Sequence, residues 1–175
     1  MNKLIIRIYL LVFLMMSFSL ADESIAQINR IKVEGNKRLS SDDIIRISNI
    51  FPGMQVTAAG EIQQGINRLW NLNRFNDIKI ILDNETMDGM DIIIQLEEAE
   101  MLNEVFISGN KKINDSKVKD IIELEKGQIL TNKSIFDCIA KLIEEYKSKG
   151  YHNINISYSI EDSDFEYASN LNLKI

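Results

Sequence analysis

A single cysteine and a single histidine occur among the 175 residues, and each shortage closes off a kind of chemistry. Cys138 alone cannot form an intramolecular disulfide, although an oxidising compartment would allow one. It stands among Ile135, Phe136, Ile139 and Leu142, which predicts a small buried side chain. His152 follows Gly150-Tyr151, where a helix gives way to a strand, and is expected in an exposed turn and not as a general base. Without a second histidine or paired cysteines, a zinc site would have to be mostly carboxylate. The acids that could supply one, Asp42-Asp43 and Glu97-Glu98 with Glu100, read as a helix start and a linker. Asp162, Ser163, Asp164 and Glu166 match a calcium loop only loosely, lacking its glycine and distal glutamate, and read as a solvated hairpin turn. Phosphate-cradling glycine loops and nucleophile elbows are missing as well. No catalytic residue, metal or cofactor is therefore expected.

Positive charge is also short. Lys and Arg number 20 against 26 Asp and Glu, a formal charge of −6. The basic pairs Lys37-Arg38 and Lys111-Lys112 are brief, have acids nearby and read as solvated turns. Neutralising phosphates takes clustered cations, so a nucleic-acid partner is excluded.

Apolar length is concentrated at the start, where Lys3 and Arg7 lead into the run from Ile8 to Phe18. Ser19 and Ala21 then give the small-x-small pattern of a signal-peptidase site ahead of Asp22, with Ser24-Ile25-Ala26 as a second choice. The run falls short of the roughly 20 residues that span a bilayer, so residues 1–21 are expected to be a cleaved signal peptide and the mature chain to be exported. Its removal takes away two cations and no acids, moving the charge to −8.

The remaining chain repeats itself. Ile28-Asn29-Arg30-Ile31-Lys32-Val33-Glu34-Gly35-Asn36-Lys37-Arg38-Leu39 reads against Leu102-Asn103-Glu104-Val105-Phe106-Ile107-Ser108-Gly109-Asn110-Lys111-Lys112-Ile113, 74 positions on. Gly53 pairs with Gly127 and Thr57 with Thr131 at the same offset. Phe75-Asn76-Asp77-Ile78-Lys79-Ile80 answers Tyr151-His152-Asn153-Ile154-Asn155-Ile156 at 76, so two residues enter near the second helix. Residues 26–98 and 99–175 are the expected domains.

Each copy opens with a strand of period-two burial, Ile31 and Val33 or Val105 and Ile107, and turns at Gly-Asn. A short helix capped by Ser40 or Ser41 carries Ile44, Ile47 and Ile50 inward. One capped by Asn114 or Asp115 carries Val118, Ile121 and Ile122. Pro52-Gly53 and Lys126-Gly127 are expected to end these helices. Thr57 and Thr131 then cap longer ones, striped by Ile62, Ile66 and Leu69 or by Ile135, Ile139, Leu142 and Tyr146. Two strands close each unit. Ile78, Ile80 and Leu82 turn at Asp88-Gly89 into Ile92, Ile94 and Leu96, and Ile154, Ile156 and Tyr158 precede Leu171, Leu173 and Ile175. The fold class is α+β: two tandem β-α-α-β-β domains, each an antiparallel three-stranded sheet covered on one face by two helices. Glu97-Glu98-Ala99-Glu100 is too short for a free tether and predicts a limited hinge.

What such a chain offers a partner is backbone. In a three-stranded sheet two strands are edges with unpaired N–H and C=O groups. The favoured edges are Asp77 to Leu82, with Ile78, Lys79, Ile80 and Ile81 at its centre, and Asn153 to Ser159, with Ile154, Asn155, Ile156, Ser157, Tyr158 and Ser159. Lys79 on an edge discourages pairing, whereas Asn155, Ser157 and Ser159 permit it, so the second domain reads as the more receptive.

The order strand, Gly-Asn-basic-basic-apolar, short helix, Gly, Thr-capped helix and hairpin, met twice behind a signal peptide, resembles the POTRA domain over residues 26–175. The segments Ile31 to Arg38, Val105 to Lys112, Leu72 to Ile78 and Tyr146 to Tyr151 carry the likeness. It implies the periplasmic arm of a BamA-type outer-membrane assembly factor, with the second strand at the sheet edge. Such an arm receives unfolded β-barrel precursors by β-augmentation, takes them from periplasmic chaperones and docks assembly lipoproteins. The membrane contact would run through a C-terminal barrel that this sequence does not contain: either it is a fragment, or it acts without its own pore. The likeness also admits a two-partner secretion transporter, or an envelope interaction protein anchored in the inner membrane.

Overall fold

The computed structural model describes residues 25–175, and the expected signal peptide, residues 1–21, lies outside them. The first unit runs β1 (Ala26–Glu34), α1 (Ser41–Ser48), β2 (Gln55–Val56), a π-helical turn (Ala58–Ile62) leading into α2 (Gln63–Trp70), then β3 (Phe75–Thr86) and β4 (Gly89–Glu98). The second runs β5 (Met101–Ser108), α3 (Asp115–Ile122), α4 (Asn132–Ser148), β6 (Ser157–Asp162) and β7 (Ala168–Lys174). Among the described residues no helix is long and apolar enough to cross a membrane, which says nothing of a β-barrel.

Helix starts are fixed by local chemistry. Ser40, Thr57, Asn114 and Thr131 each accept a backbone N–H from three residues on, occupying a donor that the first helical turn leaves free. The helix ends differ from expectation. α1 stops at Asn49 and α3 at Glu123, both left-handed, before Pro52-Gly53 and Lys126-Gly127 are reached. Those later glycines do other work: Gly53 donates its N–H to the Ile28 carbonyl and Gly127 to that of Leu102, each at 2.7 Å. The chain is thereby drawn along the outer edge of the first strand.

The sheets are ordered β2-β1-β4-β3 and β5-β7-β6. They are mixed and not antiparallel throughout. β1 lies parallel to β4 and β5 to β7, and only the hairpins β3-β4 and β6-β7 are antiparallel. The helix pair between first and last strand is long enough to make the crossover that parallel pairing needs. The first sheet also gains the two-residue β2 beyond the three expected strands.

Both cores lie between sheet and helices. Ile44, Leu69, Phe75, Ile78, Ile94 and Leu96 form one cluster, continued by Ile28, Ile50, Val56 and Ile92. Val105, Val118, Ile135, Leu142, Leu171 and Leu173 lead the other. Cys138 is buried in it as expected, and desolvation pushes its thiol up to about 11.

Glu97 and Glu98 are not linker residues. They finish β4, leaving Ala99 and Glu100 between the strands. Glu98, 3% exposed, accepts the backbone N–H groups of Lys37 at 2.8 Å, Arg38 at 2.9 Å and Leu39 at 3.4 Å, with the Arg38 guanidinium 3.4 Å from its other oxygen. Burial opposes its charge, but those amides and Arg38 outweigh it and hold the carboxyl below the ordinary glutamate range. Next to it Lys37 pairs with Glu100 at 2.5 Å, Ser169 of the second unit donates to Glu100, and Asn132 donates its N–H to Asn76 at 2.9 Å.

Candidate peptide-binding edges

Four strands flank the two sheets, but they are not equally open. The outer edge of β1 is taken at its start by β2 and by the Ile28 N–H bonded to Met54. That of β5 is taken at its start by the segment around Gly127–Leu130, with bonds from Leu102 to Gln128 and from Leu130 to Glu100. Among the described residues β3 and β6 each pair with a single strand, β4 and β7, which leaves their other edge without a strand partner.

On β3 the expected residues fall as the alternation requires. Ile78 is buried and Ile80 half-buried on the helix side, while Lys79 and Ile81 face out. Lys79 is ion-paired to Asp77 on the same strand, and that pairing holds the Lys79 ammonium above and the Asp77 carboxyl below their ordinary ranges. Leu82, expected in the core register, is 52% exposed, at the point where a register shift interrupts the β3–β4 pairing and beyond the residues that pack on the core.

The second edge begins later than the repeat predicts. Ser157 faces Lys174 and Tyr158 faces Leu173, a register that would set Ile156 opposite Ile175, and the strand starts at Ser157. Ile154, Asn155 and Ile156 are accordingly outside the strand, although Ile154 and Ile156 still pack against the core. Ser157, Tyr158 and Ser159 are on β6, joined by Ile160, Glu161 and Asp162, and all six are exposed.

The helix side of β6 carries an apolar strip that the sequence did not reveal. Tyr158 meets Phe136 of α4 edge to face, ring centroids 6.2 Å apart, and Phe136 stays 60% and Ile160 44% exposed. The available signal was Phe136 one place off the buried stripe of α4, and Ile160 two places after Tyr158. Together they set an unpaired backbone edge beside apolar side chains, the combination that seats an extended peptide. His152 lies exposed in the turn before β6, and Asp162 to Glu166 lead from β6 into β7, away from any candidate chemistry.

The two repeats are similar to known proteins. The model of POTRA, the surface antigen variable number repeat, matches residues 26–99 and again 101–175. The outer membrane protein assembly factor BamA of Neorickettsia risticii (strain Illinois) is 26% identical over 144 residues, 82% of this chain; the match spans 18% of the length of that relative. Among solved structures, the N-terminal domain of Omp85 from Thermosynechococcus elongatus has 22% identity and a TM-score of 0.54, covering 87% of this chain and 63% of that one. Haemophilus influenzae BamA POTRA3-5 has 13% identity and a TM-score of 0.57, covering 90% and 68%.

Proposed function

The chain belongs to the POTRA family, of which it carries two consecutive copies, and on that premise we propose that it is a receiving arm for outer-membrane β-barrel precursors in the periplasm. It is a scaffold and not a catalyst. Extended precursor segments add to the free edge of β6, and less readily to that of β3. The observation that carries this reading is the open backbone of β6 beside Phe136, Tyr158 and Ile160. Main-chain pairing supplies a sequence-tolerant affinity, the apolar strip adds to it without selecting a motif, and release stays easy. On β3 the ion-paired Lys79 and Asp77 put charge on the strand, a feature that discourages strand addition. Docking of assembly lipoproteins and delivery by periplasmic chaperones belong to the same proposal, supported by the likeness to BamA and Omp85 proteins.

The test is site-specific photo-crosslinking in cells exporting barrel precursors. A crosslinker at Ser157 or Ser159 should capture them severalfold more than one at Lys117, an exposed position on α3. Equal capture at Lys117 would remove the case for the edge.

A further inference from the structure

The flank of the first strand is sealed in one copy and open in the other. Ile50 and Leu124 hold matching places in the repeat. Ile50 is fully buried, and a Cβ at Gly65 would come within 2.4 Å of its Cδ1, so a missing side chain on α2 is what admits it. The inward stripe Ile62, Gly65, Leu69 has the spacing of Ile135, Cys138, Leu142, which puts Cys138 where the first copy has Gly65. Leu124 is only half-buried. In the first copy β2 also closes the flank by pairing with Ala26 and Gln27, whereas the second has a single bridge there, Met101 to Ile129.

What this leaves is a cleft of about 360 Å³ along the outer side of β5, walled by Leu102, Glu104, Val105, Lys119, Leu124 and Lys126. Leu102 turns its N–H and C=O outward, to Gln128 and Gly127. Past the irregularity at Asn103, the alternation of the strand turns those of Val105 and Ile107 outward as well, where no strand or loop of the described residues meets them. Asn103 belongs to the same wall, and its Oδ1 is enclosed without a donor, which is uncommon for a buried acceptor.

The charges beside this backbone are of one sign. Lys119 and Lys126 have no acid partner among the described residues: Glu123, next to Leu124, is taken by Lys141, and the Lys126 ammonium lies 5.3 Å above the Phe165 ring. At their places the first copy has Ile45 and Pro52. Glu104 is exposed while Val105 is buried on the helix side, so alternation carries the Glu104 carboxylate to the other face of the sheet, away from α3.

We propose that the outer side of β5 is a separate docking edge for an extended segment of a partner polypeptide with carboxylates at alternate positions. The segment's backbone pairs with Val105 and Ile107, and its acidic face turns to Lys119 and Lys126. This edge does not rest on precursor binding at β3 or β6.

The probe is an octapeptide of alternating threonine and glutamate, with alternating threonine and glutamine as its neutral counterpart. Amide hydrogen exchange of the full chain is read at Val105 and Ile107, with Ser157 to Asp162 of β6 followed alongside. The glutamate peptide should slow exchange at Val105 and Ile107 by about fivefold or more over the glutamine one at low salt, and high salt should erase the difference. The difference should also vanish when Lys119→Gln and Lys126→Gln are combined, with exchange at the core residue Leu142 unchanged from the parent. No slowing at Val105 and Ile107, whether or not β6 responds, would overturn the proposal. So would equal slowing by both peptides, or a difference that outlasts removal of both lysines.

Discussion

Replacing Glu98 by alanine would strand three backbone N–H groups and take the carboxylate away from the half-buried Arg38 guanidinium, since all of them converge on it. Breaking a buried ionic site by removing one partner costs about 3–5 kcal/mol, so Glu98→Ala should lower unfolding free energy by that order in a urea titration. The pH dependence has a fixed sign. Glu98 and Glu100 both ionise below the ordinary glutamate value, so their stabilisation is complete above that value, about 4.3, and is lost as pH falls through their folded values. Little of this was legible beforehand. Glu98 sits in an acidic run that composition reads as solvent-facing, and its burial depends on the Gly35 turn returning to the end of β4, a contact across about sixty residues. Cys138 was legible, because helical spacing alone puts it beside Ile135 and Leu142. Its buried thiol, raised to about 11, should resist a thiol reagent in the native protein and react once the chain is unfolded in denaturant.

Among the elements, those governed by neighbours in sequence were readable and those governed by distant pairing were not. N-caps are settled within three residues, hence the agreement at Ser40, Thr57, Asn114 and Thr131. Gly53 and Gly127 were assigned to helix ends because glycine favours such places, yet what they do is reach the carbonyls of Ile28 and Leu102 on another element. The start of β6 failed for the same reason: the repeat put Ile154 level with Ile78, whereas the pairing puts Ile156 there, and only the partner strand decides register. The edge role of β6 therefore rests on Ser157 to Asp162. A lysine at Ser159 would set a charge on the exposed face of that edge without touching the core. Ser159→Lys should reduce precursor crosslinking from Ser157 severalfold while leaving the melting temperature within a degree or two. A large loss of stability would mean that Ser159 is part of the packing and not of a free edge.

For the whole molecule, what matters is how firmly the two copies are held together. Ala99 and Glu100 alone separate β4 from β5. The junction is crossed by the Asn132-to-Asn76 bond and by Glu100, which joins Lys37 of the first copy to Ser169 of the second. Pairing with Lys37, and then the Ser169 hydroxyl, draws the Glu100 carboxyl below its ordinary range, so the clasp is charged throughout the neutral region and opens only in acid. A rigid arm presents β3 and β6 at a fixed separation, and a loose one lets each copy hold a client independently. These alternatives separate in a spin-label distance measurement between Glu85→Cys and Glu144→Cys, with buried Cys138 left in place because it does not label. The distribution should be narrow at pH 7, broaden in Glu100→Gln, and broaden in the parent as pH falls below the ordinary glutamate value. High salt should act less than the substitution, since Glu100 is partly enclosed and Lys37 reaches it at contact distance. A distribution equally broad in parent and variant would mean that the copies swing freely about Ala99 and that the clasp has no part in positioning the two edges.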